Sequence, residues 1–136
     1  MKWTGLQEYK AALRALPEEL KDEAFDIVLG ASQAAMREIY NRYPVGPTGN
    51  LRKGLRILVD LGRSTRLGVF VRLYNAAPHA YLFEVGTAPR RTATGAKRGS
   101  MPPGRVFVPI VIRHRHVMRQ ALIALVRSKG LLVRAA

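Results

Sequence analysis

Between Pro17 and Pro44 the apolar residues Leu20, Ala24, Ile27, Val28, Ala31, Ala35 and Ile39 recur every three or four positions, and Lys21, Asp22, Gln33 and Arg37 fall outside that stripe. This is the period of an α-helix that buries one face. The two prolines set its ends. Pro17 suits a first helical turn, where Glu18 and Glu19 meet the positive end of the helix dipole. Pro44 pushes the residue before it out of helical space, so the helix is predicted to run to about Tyr43. A long helix with a single apolar face needs a second layer to cover that face.

The second layer follows the turn-rich segment Pro44-Val45-Gly46-Pro47-Thr48-Gly49-Asn50, where the period changes from helical to alternating. Leu51, Leu55, Ile57 and Val59 share odd positions, with Arg52, Arg56 and Asp60 between them; Leu67, Val69, Val71 and Leu73 repeat the pattern against Gly68, Phe70 and Arg72. The stretch Leu61-Gly62-Arg63-Ser64-Thr65 joins the two runs, which predicts an antiparallel hairpin with its aliphatic face on the helix. A closing helix is expected from about Pro109 to Lys129, with Val111, Met118, Ala121, Leu122, Leu125 and Val126 on one side and Gly130 as its cap. A short helix over 6–16 and an edge strand at Leu131-Leu132-Val133 complete the expected elements, and residues 75–87 fit either a helical turn or a strand ended by Gly86. The fold class is therefore α+β: a long N-terminal helix packed on a small antiparallel β-sheet, with a C-terminal helix and a long basic loop. At 136 residues the chain suits one domain, 1–136, around one core.

Charge is unevenly spread. Residues 1–84 carry 12 basic and all 9 acidic side chains, whereas residues 85–136 carry 11 basic and no acidic ones. A surface of that sign attracts a polyanion or an acidic protein. Residues 88–105 concentrate the effect, with Arg90, Arg91, Lys97, Arg98 and Arg105 set among Gly, Thr, Ser and Pro and almost nothing to anchor a core. A flexible, structureless loop is expected there, of the kind that serves a function. It has no aromatic residues to stack on bases, so two readings stay open: a docking arm that orders on a protein partner, or a segment that tracks phosphates without reading sequence. The former is favoured.

Chemistry has little to stand on. Cysteine is absent, which removes disulfides, thiolate metal sites and cysteine nucleophiles and fits a reducing compartment. Gly95-Ala96-Lys97-Arg98-Gly99-Ser100 lacks the spacing of a phosphate-binding loop, and His114 and His116, two apart on a helix, point to different faces, so no metal or cofactor is expected. His79 with Glu84 can be drawn as an acid–base pair, but no nucleophile or second carboxylate accompanies them. A salt bridge to an arginine is the expected role of Glu84. No apolar stretch follows Lys2, so no signal peptide is expected, and runs such as 106–112 fall far short of the roughly 20 residues of a membrane span.

Three blocks in order resemble the head–tail joining, or tail-completion (neck), proteins of tailed bacteriophages. They are Pro44-Val45-Gly46-Pro47-Thr48-Gly49-Asn50-Leu51-Arg52-Lys53-Gly54-Leu55, then Ala80-Tyr81-Leu82-Phe83-Glu84-Val85-Gly86-Thr87, then Met101-Pro102-Pro103-Gly104-Arg105-Val106-Phe107-Val108-Pro109. The resemblance covers roughly residues 10–128. Gly54 stands where the family usually has serine, and Arg105-Val106 where a proline commonly precedes the Phe. The resemblance implies a non-enzymatic virion subunit, assembled in the host cytoplasm into a homo-oligomeric ring, six-fold in the first instance and twelve-fold as the alternative. Its partners would be the portal or adaptor of the head and the tail-terminator or tail-tube proteins, with non-specific contact to packaged DNA and no membrane. Arg90, Arg91, Lys97, Arg98 and Arg105 would be the partner- or DNA-contacting group, and Glu84, Gly86 and Thr87 would brace their loop. A tail-terminator ring capping the tail tube and a free-standing basic DNA-binding protein are the rival readings.

Overall fold

Pro44 stands just past the end of the first helix, as its chemistry requires. The computed structural model describes residues 18–59 and 70–130, and in it α1 spans Glu18–Arg42. It is followed by a single helical turn, α2 (Asn50–Lys53), strands β1 (Leu55–Val59) and β2 (Val71–Asn75), a short helix α3 (Ala80–Val85) and the closing helix α4 (Phe107–Ser128). The expected helix over 6–16, the hairpin connection with Leu67 and Val69, and the strand at 131–133 lie outside the described residues.

The two strands pair antiparallel, with Leu55 opposite Asn75, Ile57 opposite Leu73 and Val59 opposite Val71. These residues turn inward, while Arg56, Leu58, Arg72 and Tyr74 face out. The architecture is the expected α+β arrangement of a long helix, a two-stranded sheet and a C-terminal helix. Ala35, Ile39, Tyr43, Leu55 and Ile110 form the buried core, lined by Met36, Leu51, Leu73, Phe83, Phe107 and Val111. Ile39 is fully buried, a burial worth about 1.5–3 kcal/mol. Polar ties fix α1 against α4 in antiparallel sense. Near one end Glu38 accepts from Arg113 and from His114 Nε2 at 2.9 Å; near the other Lys129 Nζ donates to Glu23 at 2.9 Å.

Two expectations need correction, and one open alternative is resolved. Leu51 has the parity of the strand but belongs to α2: Gly49 turns left-handed at φ 63°, and Lys53 N and Gly54 N then donate to the carbonyls of Gly49 and Asn50. Leu51 reaches the core from that turn, and the sheet begins at Leu55. Of the two forms open for residues 75–87, the helical turn is the one formed, as α3 over Ala80–Val85, closed by Gly86, while Asn75 ends β2. The last helix starts at Phe107 rather than Pro109, because Pro109 falls in the first turn, where its missing N–H leaves no bond unmade.

Candidate functional site

Tyr43 follows the last turn of α1 and is 1% exposed. Its ring meets Phe83 edge-on, with centroids 5.5 Å apart and planes at 89°. Burial pushes its phenol well above the ordinary tyrosine range. The hydroxyl, still protonated, donates to Glu84 Oε1 at 3.0 Å. Arg52 of α2 locks the same corner, donating from Nε to the Tyr43 carbonyl at 2.8 Å and lying over the Tyr40 ring at 5.1 Å.

Glu84 is the hub. Its carboxylate accepts the backbone N–H of Val106 at 2.9 Å and of Phe107 at 3.0 Å, in addition to Tyr43. Those N–H groups open α4, whose N-cap, Val106, has no side-chain oxygen to satisfy them. A carboxylate from a distant helix supplies both the acceptor and the negative charge that a helix N-terminus favours. The expected arginine partner is therefore replaced by main chain and a tyrosine. His79 caps α3 through its carbonyl, which accepts from Phe83 N at 2.9 Å, and is not hydrogen-bonded to Glu84. With its oxygens engaged by three donors, Glu84 is poorly placed to move a proton.

Beside this hub the second and third blocks are clamped together. Gly104 N donates to the Phe83 carbonyl at 2.7 Å, and the Phe83 ring occupies the space a Cβ at Gly104 would need. Thr87 exchanges two bonds with Met101, one through each backbone N–H, both at 2.9 Å. Gly86 takes φ 81° and ψ 179°, a conformation essentially restricted to glycine. A Cβ there would stand 2.7 Å from the Met101 carbonyl oxygen. Glu84, Gly86 and Thr87 thus sit at the root of the basic segment and hold its two ends together.

The segment itself is not the structureless loop expected. Arg90 and Arg98 are joined by Arg98 N donating to the Arg90 carbonyl at 2.8 Å, Arg90 N donates to Gly99 at 3.1 Å, and Arg91 pairs with Lys97 in an isolated antiparallel bridge. Thr92 closes the tip: its N–H donates to the Ala96 carbonyl at 2.9 Å, and its hydroxyl accepts from Ala96 N at 3.0 Å. The result is a narrow hairpin arm. Arg90, Arg91, Lys97 and Arg98 are brought together on it, whereas Arg105 stands apart at the root, in a left-handed conformation at φ 49°. All five are exposed, and among the described residues none has an ionic partner.

Sequence reasoning missed Tyr43 and Arg52 as parts of the hub and Asn75 as its support. Asn75 Nδ2 donates to the Leu51 carbonyl at 2.9 Å, and its Oδ1 accepts from Ala77 N at 2.8 Å. Only the position of Tyr43 before Pro44 hinted at a fixed role. Among the described residues no three His, Asp or Glu side chains group as a metal site would need, and no helix is long and apolar enough to cross a membrane. No protein-family model, curated protein or solved structure matches the chain.

Proposed function

We propose that the chain is a structural subunit of a tailed bacteriophage's head–tail joining apparatus, working by binding and without a chemical step. The observation that supports this reading most is the convergence of the three resembling blocks on one junction. Arg52 from the first, Phe83, Glu84, Gly86 and Thr87 from the second, and Met101, Gly104 and Phe107 from the third are bonded or packed within it or against the core beside it. The residues that carry the resemblance are thus the ones that hold this junction together. From that junction projects an arm whose cations have no ionic partner among the described residues. In this reading the protein forms a ring, six-fold or else twelve-fold, between portal or adaptor and tail, and Arg90, Arg91, Lys97, Arg98 and Arg105 meet an acidic surface of a neighbour or packaged DNA.

The test is the mass of the purified protein by light scattering at physiological salt, with and without a short DNA duplex. A ring-sized species, or a monomer indifferent to duplex that assembles only on its partner, supports a joining subunit. A monomer or dimer that binds duplex tightly, with affinity falling steeply as salt rises, overturns it in favour of a DNA-binding protein.

A further inference from the structure

Asp22 and Asp26 lie one turn apart on α1, exposed and, among the described residues, without an ionic partner. Asp26 is nine positions before the core residue Ala35, two and a half helical turns, so it points away from the core. The helix dipole does not explain the pair, since its influence fades beyond the first turn and Asp22 already lies past it. Like charges at this spacing repel.

On α4 the same geometry appears with opposite sign. Arg119 is nine positions after the core residue Ile110 and again faces outward. Val108, Ile112, Arg115 and Arg119 follow at steps of four, three and four, forming one stripe. Val108 is 57% and Ile112 61% exposed, and the two arginines are exposed and unpartnered within the described residues. No acidic residue follows Glu84 in the chain, so α4 offers nothing of its own to balance them.

The acidic pair and the basic pair have the same spacing, about 6 Å along their helices. Laid antiparallel, Asp26 meets Arg115 and Asp22 meets Arg119. One turn further along α1 the exposed Gly30 has nothing within 4 Å of where its Cβ would stand, leaving bare backbone for Ile112 to cover. The two faces point away from the shared core in different directions, so one subunit cannot join them to each other.

We propose that the outward face of α1 (Asp22, Asp26, Gly30) docks on the outward face of α4 (Val108, Ile112, Arg115, Arg119) of a second copy, making a head-to-tail contact between subunits. Each copy carries both halves, so the contact propagates, and a constant rotation closes it into a ring. It rests on the ring reading above for that closure and names the surfaces that would make it.

The experiment is light scattering of the full chain over a concentration series at low salt, with two charge-reversed variants, Asp22→Arg/Asp26→Arg and Arg115→Glu/Arg119→Glu. The native chain is expected to assemble, and more weakly as salt rises. Each variant alone presents like charge on both faces, and its association should weaken by roughly a hundredfold, leaving single chains. Mixed one to one, the variants are complementary at every contact and should assemble together, which also shows that both are folded. A native chain that stays monomeric, a reversal that leaves the mass unchanged, or a mixture that stays monomeric overturns the proposal. Assembly by this contact together with tight duplex binding would keep it and overturn the joining reading; a native monomer indifferent to duplex would do the reverse.

Discussion

The junction around Glu84 and the arm that grows from it share one stretch of chain but treat polar groups in opposite ways. At the junction the carboxylate, the Tyr43 hydroxyl, the first N–H groups of α4 and both ends of the arm are mutually satisfied. On the arm the backbone is paired while the cations, set close together, have no ionic partner among the described residues. The difference separates what holds the fold from what is left for another molecule. Stability should reside at the root, and charge available for binding should reside at the tip.

The sharpest way to break the comparison is to remove the hub. Glu84→Ala strands two backbone N–H groups and a buried phenol at once, and each lost acceptor costs roughly 1–3 kcal/mol. A loss of about 3–4 kcal/mol in urea unfolding is expected, with partial relaxation as water reaches the site. Glu84→Gln, which keeps one acceptor oxygen, should fall between it and the native chain. A loss under about 1 kcal/mol would mean that the helix end does not depend on this carboxylate.

Next in size is Gly86→Ala. The backbone there is closed to other residues, and a Cβ would stand 2.7 Å from the Met101 carbonyl and 2.9 Å from Pro103 N, both main-chain atoms. The strain and the clash together predict a loss of about 2–3 kcal/mol. The same substitution at Gly95, on the arm's tip, meets nothing within 4 Å and carries only the strain of its positive φ of 84°. Thermal melts of the two variants should rank them in that order.

A third test concerns the bond between the helices. Hydrogen bonds from Arg113, then from His114, hold the Glu38 carboxyl at about 2, below its ordinary 4.5. A carboxyl depressed in the folded state adds stability that is whole above the ordinary value and lost as pH falls toward the depressed one. The native chain should therefore lose stability between about pH 4.5 and 2 more steeply than Glu38→Gln, with the two curves converging at lower pH. Parallel curves would show that the contact is absent in solution.

The same contrast accounts for what could be read in advance. The long helix was legible because its apolar period and its two prolines are local signals, and the hairpin because alternation survives in Leu55, Ile57 and Val59. Leu51 was misplaced because its parity matched the strand, while the left-handed Gly49 that starts a helical turn leaves no mark in hydrophobicity. The arm's pairing was hidden for a similar reason: it rests on backbone bonds, on a tip turn closed at Gly95 and on positive φ at Gly95 and Gly99, with no apolar face to reveal it. Glu84 stood out as a lone acid, and an arginine was the natural partner to expect. Its real partners are main-chain N–H groups more than twenty residues on, and residue type does not advertise those.

The smallest expected effect is the most informative about the arm. Arg91 and Lys97 face each other across the isolated bridge, and like charges placed directly opposite are destabilising. Among the described residues neither has an ionic partner to lose. Replacing Arg90, Arg91, Lys97 and Arg98 with serine should therefore leave unfolding stability within about 0.5 kcal/mol of the native chain, or raise it slightly. Retention on an anionic column should fall sharply in the same protein. A loss of more than about 1 kcal/mol would instead mean that these side chains fold back on their own subunit, and the division between a stabilising root and a binding tip would fail.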